Sequence, residues 1–182
     1  MLGDWLHPSD DGSLPPQAVI VPHAGYVFSG EVAASAFSRI PRGHSYKRIF
    51  LLGPSHRVGF AGASVDTLYS FAETPLGNVP IDVSLGKELI GEGGGAFTFR
   101  SDAHEDEHCL EVQLPFLQMI FAEVPPVVPI VIGTERLGVL QDIAETLEPY
   151  FSKLSSESLR FPCEGIQERC GQRVLRKRSC TW

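Results

Sequence analysis

Short apolar runs interleaved with segments of helical periodicity constrain the fold of this chain more than any other feature. The clearest runs are Gln17 to Val21, Arg48 to Leu52 and Val127 to Ile132. The first two are stopped by Pro22 and by Gly53-Pro54, as buried strands commonly are. The third contains Pro129, which leaves its pairing open. Between the first two, Ser29 to Ile40 predicts a helix. Ser29 is its N-cap, Val32, Ala33, Ala36 and Phe37 form its apolar face, and Pro41 follows its last turn. After Asp106 and Glu107, whose charges suit a helix N-terminus, Leu110, Leu114, Leu117 and Phe121 recur at helical spacing. Pro115 inside that stretch predicts a kink or a later start. Leu137 to Phe151 reads as an amphipathic helix, and Val83 to Ile90 as a weak one carrying Gly86. Ala63 to Tyr69 reads as a further strand, Thr74 to Asp82 as a loop or edge hairpin, and Gly91 to Gly95 as a turn. Apolar strands alternating with helices predict an α/β layer fold with a mostly parallel sheet.

At 182 residues the chain has room for one domain with a sizeable core. The formal net charge of -7 argues against a general nucleic-acid binder and against a basic membrane-surface protein. No apolar run approaches the roughly 20 residues that span a bilayer, so no membrane insertion is expected. Met1 to Pro8 has neither a basic segment nor a long apolar one, so a cytoplasmic location is expected. The charge is unevenly spread. Before Lys153 lie 8 of 15 basic and 19 of 22 acidic residues, a net of -11, whereas 153–182 carries +4 together with Cys163, Cys170 and Cys180. The cysteine spacing matches no zinc framework. The chain therefore divides into an α/β domain over 1–152 and a basic, Cys-rich, irregular segment over 153–182.

Chemistry is expected where strands end. The first strand runs into Pro22-His23-Ala24-Gly25-Tyr26, and the second into Gly53-Pro54-Ser55-His56. Ligands of open parallel sheets bind outside the carboxyl ends of the strands. Imidazole is both the commonest protein metal ligand and the natural acid/base near neutral pH. His23 and His56, delivered to one edge by neighbouring strands, would supply two ligands of a mononuclear site with open positions. The bland reading, that each histidine packs under a loop, stands beside it. A second constellation runs from Asp102 to Glu111 and includes His104, His108 and Cys109. His108 and Glu111 are three apart and would share a helical face as an acid/base or metal pair. Against this, the acids suit a helix N-terminus and Glu111 a solvated face. His7, His44 and His104 read as surface residues, and Cys109 as a buried small hydrophobe. Neither glycine-rich segment is a phosphate loop, and no GxSxG elbow is present.

An ordered set of motifs then stands out. Val21-Pro22-His23-Ala24-Gly25-Tyr26 with Ser29-Gly30 comes first, followed by Leu52-Gly53-Pro54-Ser55-His56 and Thr74-Pro75-Leu76-Gly77. Asp106-Glu107-His108 with Leu110-Glu111 and Leu114-Pro115 completes it. Together, over roughly Ala18 to Phe151, the chain resembles the Memo-like family. The resemblance implies a three-layer αβα fold like that of the class III extradiol dioxygenases. It implies His23 and His56 as metal ligands, with iron or copper as the metal. In animals it further implies a phosphotyrosine-containing receptor peptide as partner in cell-motility signalling, in the cytoplasm and also the nucleus. Upstream, the family's opening segment is reduced to Gly3-Asp4-Trp5-Leu6. Downstream, the resemblance fades after Leu154, and no third protein ligand is identified. Relative to the family the sheet is expected to be truncated. An unpaired edge and an exposed apolar face then predict marginal stability or aggregation.

Three functional readings follow. One is a dioxygenase-like, metal-dependent oxidoreductase site acting on a small aromatic substrate, with His23 and His56 as ligands and His108 as a proton-transfer group. Another is a binding module for a phosphotyrosine peptide in the same pocket. The third is a product without independent activity.

Overall fold

The computed structural model describes residues 1–8 and 14–151, and the backbone of 152 and of 158–162. Its strands are β1 (Arg48–Pro54), β2 (Ala63–Val65), β3 (Phe71–Thr74), β4 (Gly77–Pro80), β5 (Phe97–Thr98), β6 (Val127–Ile132) and β7 (Ser158–Pro162). Its α-helices are α1 (Leu2–Trp5), α2 (Tyr26–Phe37), α3 (Val83–Glu92), α4 (Ser101–Glu105), α5 (Leu114–Ile120), α6 (Leu137–Leu147) and α7 (Pro149–Ser152).

β1 carries Ile49, Phe50, Leu51 and Leu52 in succession, so both of its faces must be covered. Successive side chains point to opposite faces of a strand. Accordingly Ile49 and Leu51, with Val127 and Val131 of β6, pack against Ala33 and Phe37 of α2 and Phe116 and Leu117 of α5. Phe50, with Val128 and Ile130, packs against Leu85 and Leu89 of α3 and Ile143 and Leu147 of α6. Two helical layers thus enclose one sheet, the three-layer α/β arrangement. Phe37 and Phe116 stack with ring centroids 4.8 Å apart and hold α2 to α5.

The sheet has the order β5-β2-β6-β1-β7. β1 is parallel to β6 and to β7, and β2 is parallel to β5. Within this five-stranded sheet β2 pairs with β6 antiparallel and the other described pairings are parallel, so the sheet is mixed and mostly parallel. β3 and β4 form a separate antiparallel hairpin where a loop or edge hairpin was expected. Thr74 Oγ1 closes it by donating to Gly77 O.

Several local expectations are corrected by packing. Gln17 to Val21 is not a continuous strand. Only Ala18 and Val21 form bridges, in a segment where Pro15, Pro16 and Pro22 offer no backbone donor. α2 begins at Tyr26 with Gly25 as its N-cap, and Ser29 instead donates to Ala24 O. Tyr26 packs edge-on to Phe116 at 5.7 Å, so tertiary contact extends the helix a turn upstream. Val32 faces solvent, and Ala34 takes the expected buried place. β2 stops after three residues because Asp66 Oδ1 accepts from the N–H groups of Leu68 and Tyr69, an Asx-type turn. The expected helix after Asp106 is split. α4 precedes it, a 3₁₀ turn occupies Glu111–Gln113, and α5 starts at Leu114 with Pro115 in its first turn. There the missing N–H of Pro115 costs nothing. The irregularity expected from Lys153 does not extend to Ser158–Pro162, which forms β7. The rest of 153–182 lies outside the described residues.

Candidate metal site at the strand ends

β1 and β6 end in register, Pro54 opposite Ile132, and Ser55 N donates to Ile132 O at 2.8 Å. The chain then turns, with Ser55 Oγ accepting from Val58 N at 3.3 Å, and presents His56 at the sheet's carboxyl edge. Glu107 holds it there. His56 N donates to Glu107 Oε2 at 2.7 Å, and the ring Nδ1 lies 3.1 Å from both carboxylate oxygens. His108 N and Cys109 N donate to Glu107 Oε1 at 3.0 and 3.1 Å. Glu107 is only 4% exposed. Burial by itself pushes its carboxyl pKa up. The backbone donors of His56 and Cys109 and the adjacent imidazole more than offset this and hold it below the usual glutamate value. An ionised Glu107 accepts a proton-bearing Nδ1, which leaves Nε2 of a neutral His56 as a lone pair.

His23 arrives by a different route. Gln113, fully buried, donates through Nε2 to Pro22 O and to Cys109 O, both at 3.3 Å. It ties the backbone just before His23 to the turn that carries Glu107. The result is His23 Nε2 facing His56 Nε2 at 3.2 Å, with ring centroids 4.9 Å apart. His108 completes a group of three rings, its centroid 6.3 Å from that of His23 and 6.4 Å from that of His56. Burial chiefly lowers the His108 pKa, and His23, His56 and Arg57 add to this against the opposing charge of Glu107.

Close approach of the Glu107 turn to β1 depends on Gly53. A Cβ at that position would meet Cys109 Sγ at 2.4 Å and Leu110 Cδ2 at 2.8 Å. Cys109 is fully buried, its Sγ 3.4 Å from Pro54 O. It is buried as expected, but in a turn and not on a helix. One potential metal-binding group has His56, Glu107 and Cys109 with ligand atoms all within 4.8 Å of one another. Glu107, already receiving three backbone donors, is better suited there to orienting His56 than to coordination.

The donor set at the mouth fits a metal ion. Two nitrogens bound to one ion at about 2.0–2.1 Å, at angles between square and tetrahedral, lie about 2.8–3.4 Å apart. The His23–His56 separation falls in that interval. The buried Nδ1 of His23 has no hydrogen-bond partner among the described residues, and the ring's Nε2 lies within hydrogen-bonding distance of His56 Nε2.

Other expected surface residues behave differently. His104 is buried at 6% exposure, its Nε2 3.0 Å from Ser64 Oγ, because α4 packs against β2. His44 is half-buried against Tyr46, whereas His7 is exposed. Glu111 is buried, not solvated, and lies in a 3₁₀ turn while His108 lies outside any helix, so the two do not share one face of a regular helix. Sequence reasoning missed the roles of Glu107 and Gln113. The signal available was their position three residues before and after Leu110, which alone says nothing of what they touch.

The fold and the site define an α/β protein with a histidine cluster at the carboxyl edge of its sheet. The family model described as Memo-like protein matches residues 4–159. A MEMO1 family protein of Thermoplasma volcanium is 35% identical over 161 residues, covering 86% of this chain and 59% of that protein. One from Methanococcoides burtonii is 42% identical over 116 residues, covering 64% and 41%. The MEMO1 family protein MHO1 of Saccharomyces cerevisiae is 33% identical over 144 residues, covering 72% and 43%. The chain belongs to the Memo-like protein family, and it spans about half the length of the curated relatives it matches.

Proposed function

We propose that this chain carries the two-histidine half of a mononuclear metal site, with His23 and His56 as ligands and His108 as the adjacent proton-transfer group. The observation that carries the reading is the 3.2 Å approach of two imidazole Nε2 atoms, one of them oriented through its other nitrogen by buried Glu107. Carboxylate–imidazole pairs of this kind fix the tautomer and raise the basicity of a metal ligand. Iron or copper suits imidazole donors, and a bound ion with open positions would supply oxidoreductase chemistry of the dioxygenase type on a small aromatic substrate. His108, with its pKa lowered, is neutral near pH 7 and able to accept a proton. A third protein ligand is not assigned. The same three rings could meet the phosphate of a phosphotyrosine peptide of a motility receptor, and peptide binding indifferent to metal would favour that reading. No described helix is long and apolar enough to cross a membrane.

The test is anaerobic titration of the folded chain with Fe(II) and Cu(I), beside His23→Ala and His56→Ala. Stoichiometric binding lost in both variants is the expected result. Binding that is absent, or indifferent to both substitutions, would overturn the proposal.

A further inference from the structure

A second concavity lies on the other side of the 107–111 segment, between β1, β6 and the β3–β4 hairpin. It encloses about 240 Å³, below the roughly 300–1,000 Å³ of drug-sized sites, so it suits a small ligand. Its floor is apolar, formed by Leu51, Ile81 and Leu114. Its charge is one-sided. Among the described residues Asp66, Glu73, Glu105 and Glu111 line it, and no lysine or arginine does. The one basic ring, His104, has Nε2 engaged with Ser64 Oγ.

Asp66 supplies an observation independent of that count. It is 7% exposed, and Oδ1 is used by the N–H groups of Leu68 and Tyr69. No described residue donates to Oδ2. Oδ2 is accessible, so it is open to a donor that enters the cavity. The aromatic rings Tyr69, Phe71 and Phe99 line the same space. Tyr69 and Phe71 are 60% and 53% exposed, so their rings are open to a ligand. Aromatic faces beside carboxylates are the chemistry that recognises an organic ammonium group, through cation–π attraction and charge-assisted hydrogen bonds.

We infer that this cavity is a binding site for a small organic amine in its ammonium form, its charged head at Asp66 and its apolar body against Phe71 and Phe99. The site is separate from the histidine cluster and does not depend on a metal there.

The experiment is calorimetric titration of the full 182-residue chain with phenethylammonium chloride, with 2-phenylethanol and phenylacetate as neutral and anionic counterparts. Saturable one-to-one binding of the ammonium compound is expected, about tenfold or more tighter than the alcohol, with no binding of the carboxylate. Asp66→Asn keeps the Oδ1 acceptor of the turn and removes the charge, and it should weaken the ammonium compound about tenfold with an unchanged melting temperature. Phe71→Ala, at an exposed position, should weaken it without unfolding the chain even if Asp66→Asn proves unstable. His23→Ala should leave the affinity unaltered. No saturable binding by the folded chain, equal affinity for the three compounds, or binding lost in His23→Ala and kept in Phe71→Ala would overturn the inference.

Discussion

Glu107 sits between two expectations for a carboxylate, that burial neutralises it and that a helix N-terminus attracts it. It does neither. Three backbone N–H groups and the His56 ring surround it, so it stays ionised although only 4% exposed. Its folded pKa is depressed. The stabilisation it provides is therefore present in full above the unfolded glutamate value, about 4.3, and lost as pH falls through the lower folded value. Glu107→Gln should cost about 1–3 kcal/mol at pH 7 and much less at pH 3, as measured by urea melts at both. It should also weaken metal binding at His56 by about 10–100-fold in the same titration that tests the ligands. His108 is displaced from ordinary behaviour in the other direction, chiefly by burial. Its ring protons, followed by NMR, should titrate with a midpoint below the roughly 6.5 of a free histidine.

At the scale of elements, the site depends on how closely the Glu107 turn lies on the end of β1. Gly53 permits that contact, since a methyl group there would fall 2.4 Å from Cys109 Sγ. Gly53→Ala should lower stability by about 1–3 kcal/mol in denaturant melts, and weaken metal binding although it removes no ligand. The helical layer behind the site rests on the Phe37–Phe116 stack, both rings fully buried or nearly so. Phe116→Ala should cost about 3–5 kcal/mol, read as a shift in the urea midpoint with an unchanged slope. Element types were largely legible in the sequence, because β1 and β6 are continuous apolar runs and α6 is amphipathic. Element limits were less so. Ser29 looks like a cap, but Tyr26 packs on Phe116 and carries the helix past it. Ala63 to Tyr69 looks like one strand, but the Asp66 side chain turns the backbone after Val65.

For the whole molecule, the two cores on opposite faces of the sheet are complete enough to bury every core residue of β1 and β6, yet large apolar side chains remain outside. Phe28 and Val32, four apart on α2, are 66% and 61% exposed, and Val27 beside them is 84% exposed. A patch of this kind promotes association. Sedimentation velocity should show self-association that rises with concentration. Phe28→Ser with Val32→Ser should reduce it without lowering the melting temperature. A concentration-independent monomer would count against this and against the expectation of aggregation.

What the sequence by itself determined was the α/β layering, the family and the two strand-end histidines, because these follow from short-range patterns of apolar runs, stops and motifs. Even there, His23 reaches the edge from a segment that is not a regular strand, and its approach to His56 depends on Gln113 holding Pro22 O. What only the tertiary structure decided was which polar groups meet: Glu107 on His56, His104 under β2, and Asp66 beside an apolar cavity. Those partners are 51, 40 and up to 63 residues apart in the chain. No local periodicity encodes contacts at such distances. They arise from the order and direction in which strands and turns are packed.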